Sequence, residues 1–257
     1  MKKFSNKNKG KNKGFIDIYG YHAVYAALKN IKRNHQKLVI SQSYKEFITK
    51  KFQESVREII QLSSREMIKL YGSENSHQGI VLTTTMLEQP NLDEILYKSL
   101  NKKVEVVIML DQVTDPSNIG SIMRSSSLFN CKSIIVSKNN APDITPSMAK
   151  AASGALELIN YIKVTNLSRA IDKFKKNNFW VYGFDNNNKN FNKNLEIIDK
   201  SLLIFGAESK GLRKLTLKKC DNIISIPMNS NTIFQIDSLN ISNACSIALY
   251  EHFKRHN

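Results

Sequence analysis

Three polar segments hold most of the side chains that could do chemistry, and each begins where an apolar run ends. The first is DPSNIGSIMRSS at 115–126, with Asn118 and Arg124 on either side of Gly120. Pro116 stops the preceding strand, Ser117 or Asn118 can cap a helix, and Gly120 lets a backbone or ligand come close. The second, FGAESKGL at 205–212, sets Gly206 and Gly211 around a lone Glu208. The third, IPMNSNTIFQIDSLNISNA at 226–244, is a strand end, a loop and a polar helix start at Ser238 and Asn240. Open α/β sheets bind ligands at the C-terminal ends of their strands, which is where all three fall. Taken singly, each also reads as a helix cap or a simple turn.

Several other chemistries fail on spacing. The turn after VEVVIML (104–110) holds a single glycine, so it is not a dinucleotide-binding turn. GAESKGL has the glycine spacing of a phosphate loop, but Lys-Ser/Thr does not follow the second glycine. The five histidines are scattered; His252 and His256 stand four apart with no third ligand, which reads as a frayed basic helix end. No Ser or Cys has a recognisable base partner. An enzyme built on these segments works without a metal and without covalent catalysis.

The elements that must position them follow from the apolar pattern. From Val104 onward, the runs VEVVIML, KSIIVS, LINYIKV, FWVYGF, SLLIFG and NIISIP alternate with helical stretches, among them 118–129, TPSMAKAAS and a long last helix from Ser238 to about Phe253. Buried strands alternating with helices predict an α/β fold with a parallel sheet covered on both faces. Residues 15–86 form a smaller mixed unit. There HAVYAAL reads as a helix, Lys37–Ile40 as a strand, Tyr44–Leu62 as a helix by its apolar period, and MIKLY and GIVLTTT as strands. Residues 87–103 read as a linker with a short helix, LDEILYKSL, and 104–257 as the second domain.

Charge narrows the partner. The chain of 257 residues carries 38 Lys and Arg against 22 Asp and Glu, a net +16, which points to a polyanion: nucleic acid or an anionic membrane surface. Residues 1–14 hold six lysines and no acid, and this Lys/Asn/Gly tail reads as disordered. No apolar run approaches the roughly 18 residues needed to cross a bilayer. Three well-separated cysteines, Cys131, Cys220 and Cys245, fit a reducing compartment, the cytoplasm.

In this order, the three segments resemble the three motifs of the SpoU/TrmH family of RNA ribose 2′-O-methyltransferases, within the SPOUT superfamily. Asn118 and Arg124 match motif one, Gly-x-Glu-x-x-Gly-Leu at 206–212 motif two, and Ile-Pro-Met at 226–228 with Ser-Leu-Asn at 238–240 motif three. TPSMAKAASGALE (145–157) resembles the segment between motifs one and two. IYGYHAVYAALKN (18–30) and HQGIV (77–81) resemble the family's L30e-like substrate-binding domain. The layout is most similar to the subgroup that methylates a guanosine ribose in 23S rRNA; a tRNA-modifying member and a non-catalytic ribosome-assembly factor are the alternatives.

The resemblance implies a C-terminal SPOUT domain with a deep trefoil knot, a homodimer, and S-adenosylmethionine as cofactor. It places Gly206, Ile226 and Leu239, with Gly211 and Met228 beside them, at the cofactor. It assigns the catalytic roles to Arg124, Asn118, Glu208, Asn240 and Ser238, with no metal. The substrate is RNA because only RNA offers the 2′-hydroxyl. Two departures stand out: the loop 229–237 is longer than the family's usual connection, and Ser209 stands where glycine is common. The basic tail yields a prediction. Deleting residues 1–14 weakens RNA binding and flattens the dependence of affinity on salt, read from the slope of log K against log salt concentration; an unchanged slope makes the tail a bystander.

Overall fold

The computed structural model describes residues 14–44, 52–185, 197–207, 211–228 and 238–256. The basic tail to residue 13, Glu208 and the long motif-three loop therefore lie outside the described residues.

Two sheets organise the chain. In the N-terminal unit, β1 (Phe15–Tyr19), β4 (Ile80–Thr85), β2 (His35–Ile40) and β3 (Val56–Gln61) lie side by side in that order; β2 and β3 are parallel, the other pairs antiparallel. Helix α1 (Tyr21–Lys29) buries Ala23, Val24, Ala27 and Leu28. Helix α2 (Ser64–Tyr71) buries Met67 against Val39 and Val81. A single helical turn, α3 (Glu74–His77), precedes β4.

Two expectations for this unit are overturned. The helix read across Tyr44–Leu62 gives way to the strand β3 at its C-terminal end, after a 3₁₀ turn at Gln53–Ser55, while 45–51 lie outside the described residues. Val56, Ile59 and Ile60 are β-branched, and β2 offers a free edge for parallel pairing, so tertiary context overrides a helical period. MIKLY, read as a strand, is the body of α2. Ser63 and Glu66 form a reciprocal capping box that starts a helix just before it. The strand β1 and the two helices at 167–176 and 214–219 were not anticipated.

The second sheet is wholly parallel, with order β10 (Asn222–Ile224), β8 (Trp180–Phe184), β9 (Lys200–Gly206), β5 (Glu105–Asp111), β6 (Ser133–Ser137), β7 (Asn160–Val164). Its central strands are buried almost throughout, as apolar runs covered on both faces require. One face carries α4 (Leu92–Ser99), α7 (Leu167–Lys176) and α8 (Lys214–Lys219); Ile95 and Leu96 of α4 join Val107, Ile204 and Phe174 in one apolar cluster, although α4 lies in the stretch read as linker. The other face carries α5 (Pro116–Leu128), α6 (Pro146–Ala152) and α9 (Ile241–His256), and this core runs on without a break into α1 and β1 of the N-terminal unit.

The last helix starts at Ile241, three residues later than the apolar pattern predicts, and its end is tied down rather than frayed. Buried His252 faces the carbonyl of Asp199 through Nε2 at 3.1 Å, and His256 reaches the Asp199 carboxylate at 2.8 Å. Among the described residues no group of three or more His, Cys, Asp or Glu could hold a metal ion, and no helix is long and apolar enough to cross a membrane.

Helices α5 and α6 pack backbone to backbone at Gly120. A Cβ on Gly120 would run into the Met148 carbonyl and lie 2.7 Å from the Ala151 Cβ. Backbone cannot yield as a side chain can, so Gly120→Ala costs about 1–3 kcal/mol by overpacking, measured as a lower urea midpoint at unchanged m-value.

Candidate active site

The polar rim sits where the parallel sheet changes direction. β5 and β9 are neighbours in register from Glu105–Lys200 to Asp111–Gly206, and from β5 the chain winds outward to β7 before returning on the other side. The crevice beyond the C-terminal ends of such a strand pair is the ligand-binding position of doubly wound sheets. Motif one leaves β5 and motif two leaves β9.

Asp115, rather than Ser117 or Asn118, caps α5: its carboxylate accepts from the backbone N–H groups of Ser117 and Asn118 at 3.0 and 3.2 Å, with Pro116 at the first helical position. That releases the Asn118 side chain. Its Oδ1 accepts from Asn240 Nδ2 at 2.9 Å, joining motif one to motif three across 122 residues of chain. Asn240 Oδ1 in turn accepts from the Ser242 backbone N–H at 2.9 Å and from the Ser242 hydroxyl at 2.6 Å, which fixes both the amide's orientation and the start of α9. Ser125 and Ser246 add a hydroxyl contact at 2.6 Å further along the same helix pair.

Arg124 follows Asn118 on α5 and is exposed, with no ion pair among the described residues. Six residues of helix put it about 120° around the axis from Asn118, so the two do not point into one spot within a single chain.

At motif two the described residues on either side of 208–210 pair with each other. Gly211 N–H donates to the Ala207 carbonyl at 2.8 Å, and Gly211 holds φ +61°. A Cβ on Gly206 would collide with the Gly211 carbonyl and sit 2.5 Å from Leu212 N. Both glycines are therefore needed for the backbone to fold back on the strand end. Ile226 and Leu239 join the apolar core on the α5–α9 face, while Met228 is 40% exposed and Ser238 is exposed.

One residue beneath this loop escaped the sequence reading. Asp111 ends β5 next to Gly206 with its carboxylate at 0% exposure. It pairs with Arg213 Nε at 2.7 Å and accepts from the Thr216 hydroxyl at 2.6 Å, so it pins the start of α8 and closes the loop from below. A carboxylate at the end of EVVIMLD was the available signal, since a buried charge demands partners.

The thiols take no part. Burial pushes Cys131 up to about 11 and Cys220 up to about 12, and raises Cys245 as well, so all three stay protonated and un-nucleophilic at neutral pH. What the rim does offer is backbone N–H and C=O groups beside glycines, flanked by Ile226, Met228 and Leu239. A mutational asymmetry follows from Asp111. Arg213→Met strands a buried carboxylate, whereas Asp111→Asn leaves only a half-exposed guanidinium in water, so urea unfolding shows the larger loss for Arg213→Met, by about 1–2 kcal/mol. Equal losses would mean that the pair is not what holds α8.

Comparison with known proteins agrees with this arrangement. Residues 105–250 match the SpoU rRNA Methylase family, and residues 18–90 match the RNA 2′-O ribose methyltransferase substrate-binding family. The chain is 38% identical over 182 residues to the 23S rRNA (guanosine-2′-O-)-methyltransferase RlmB of Coxiella burnetii, covering 70% of each chain. Among solved structures, the SpoU methyltransferase AviRb from Streptomyces viridochromogenes in complex with AdoMet is similar at TM-score 0.77 and 21% identity, over 98% of this chain and 94% of that one. The AdoMet-bound rRNA methyltransferase from Sinorhizobium meliloti is similar at TM-score 0.72 and 19% identity, over 95% and 88%. At those identities the structures speak for the fold, and the sequence matches for the family: the chain belongs to the SpoU rRNA methylase family.

Proposed function

We propose that this chain methylates the ribose 2′-hydroxyl of a guanosine in 23S rRNA, using S-adenosylmethionine. The observation that carries the reading is the Asn118–Asn240 hydrogen bond, which brings motifs one and three together at the mouth of the β5–β9 crevice. The Coxiella relative, named for that reaction, supplies the nucleoside and the RNA class.

The cofactor, when bound, supplies an electrophilic methyl group on a sulfonium. Gly206, Gly211, Ile226, Met228 and Leu239 would hold it, through backbone groups and apolar contact. Arg124 stays protonated near neutral pH and is a poor base. Its role is to clamp a phosphate next to the target ribose and to stabilise the oxygen as it loses its proton to that phosphate or to water. Asn118 and Asn240, locked together, position the ribose. Glu208 orients Arg124 or a loop amide, and Ser238 donates to the substrate.

The exposure of Arg124 and its angle from Asn118 support a site completed by a second copy of the chain. The same two helices expose Leu128 at 67% and Tyr250 at 47%, and Phe129 packs edge-on to Tyr250 at 5.9 Å, an apolar face suited to a homodimer. The match to the SpoU family supports a trefoil knot formed by the loops of motifs two and three. The proposed division is a basic tail at 1–14, an RNA-binding unit at 15–86, a connection at 87–103 whose helix α4 packs on the second sheet, and a SPOUT domain at 104–257, in a cytoplasmic enzyme whose cationic surface holds the RNA backbone.

The test is methyl transfer from labelled S-adenosylmethionine to unmodified large-subunit rRNA and unmodified tRNA in parallel, with wild type and Arg124→Ala. Label enters the rRNA with wild type, and Arg124→Ala lowers kcat by about 100-fold or more while cofactor affinity and Tm stay near wild type. Label in tRNA alone overturns the rRNA assignment; a variant with most of its turnover overturns the role given to Arg124.

A further inference from the structure

The N-terminal unit is not tethered loosely. Between it and the SPOUT domain lies an ion pair sealed from water: Arg33 Nε meets Glu157 Oε2 at 2.8 Å and Arg33 Nη2 meets Oε1 at 2.9 Å, with side-chain exposures of 2% and 7%. Asn30 Nδ2 donates to the same Oε2 at 2.7 Å, and Arg33 Nη1 donates to the Thr85 carbonyl. The carboxylate therefore gathers the end of α1, the loop after it and, through the guanidinium, the end of β4. Glu157 sits in the 3₁₀ turn Ala155–Glu157 directly after α6.

The surrounding surface allows one register. Gly154 holds φ +98°, and a Cβ there would lie 2.9 Å from the Ala26 Cβ on α1. Small apolar side chains on α1 and around Ala152 and Ala155 share one core. A smooth contact of that kind could slide, whereas a forked guanidinium–carboxylate pair has a single good geometry. A buried ion pair adds little net stability because desolvation offsets attraction, so its use here is orientation. The path onward is short. α6 packs on α5 with Gly120 against the Met148 backbone, and α5 carries Asn118 and Arg124.

We infer that Arg33 and Glu157, with Asn30, are positioning residues that hold the RNA-binding unit at one fixed orientation to the motif-one helix, and so set where the bound RNA meets Arg124. The inference rests on the methyltransferase reading above. Both side chains are buried in the seam between the units, so they act through the Ala155–Glu157 turn and α6.

The decisive variant is the paired replacement Arg33→Met with Glu157→Leu, which keeps the apolar burial and removes the fork together with the hydrogen bonds from Asn30 to Glu157 and from Arg33 to the Thr85 carbonyl. Replacing both partners of a buried pair by apolar residues is often neutral or stabilising, so the variant folds with a Tm close to wild type. With the full chain and rRNA, kcat/KM for RNA falls roughly 10- to 100-fold, because displacement by an ångström at a reacting centre costs that much, while KM for S-adenosylmethionine stays unchanged. Amide exchange at 154–159 rises in the same variant, and small-angle scattering broadens. The exchanged pair Arg33→Glu with Glu157→Arg recovers part of the RNA kinetics if the fork can form in reverse. Wild-type RNA kinetics in the Met/Leu variant overturn the inference. Should wild type itself transfer no label, the functional reading fails, and unchanged exchange and scattering in the variant would then overturn the clamp independently.

Discussion

The pairing of β5 with β9 is the constraint on which the rest depends. These strands are separated by more than half of the second domain in sequence, yet they lie in register and end at the same level, Asp111 beside Gly206. Parallel pairing of non-adjacent strands creates the crevice at the point where the winding reverses. Without it, motif one and motif two would be two unrelated turns. With it, Gly206 at the start of motif two lies beside the end of the strand that launches the Asn118–Arg124 helix.

Electrostatics then lock what the pairing brings together. Asp111 is a carboxylate with no exposed surface at the sheet's C-terminal edge, and Arg213 and Thr216 are the partners that make its burial tolerable. Asn118 and Asn240 do the same with neutral amides at the mouth of the crevice. Arg33 and Glu157 repeat the device between the two units. In each case a directional polar contact fixes an element that apolar contact alone would leave free to shift, since apolar attraction has no direction; the two carboxylate pairs do so away from water, the amide pair at the surface.

Much of the fold was legible from apolar runs because strands buried on both faces must be apolar throughout, and VEVVIML, KSIIVS and SLLIFG are. Errors fell where local signals competed. The apolar spacing of 44–62 is helical, but β3 forms because β2 had an edge to pair with. MIKLY looks like a strand until the capping box at Ser63 and Glu66 is counted. Asp115, the residue before Pro116, caps α5 two or three residues ahead of Ser117 and Asn118, because its carboxylate reaches both of their backbone N–H groups. Asp111 was hidden as the last letter of an apolar run.

By itself the sequence determined the parallel α/β class, the basic character of the chain and the three motif segments, because strand burial, net charge and residue types at the reacting rim are local properties. The tertiary structure alone decided that Asn240 meets Asn118, that Asp111 supports the glycine loop, that Arg124 faces outward and that Glu157 seizes Arg33. Those are contacts between residues far apart in the chain, and their geometry exists only once strand order and helix packing have brought their backbones within hydrogen-bonding distance.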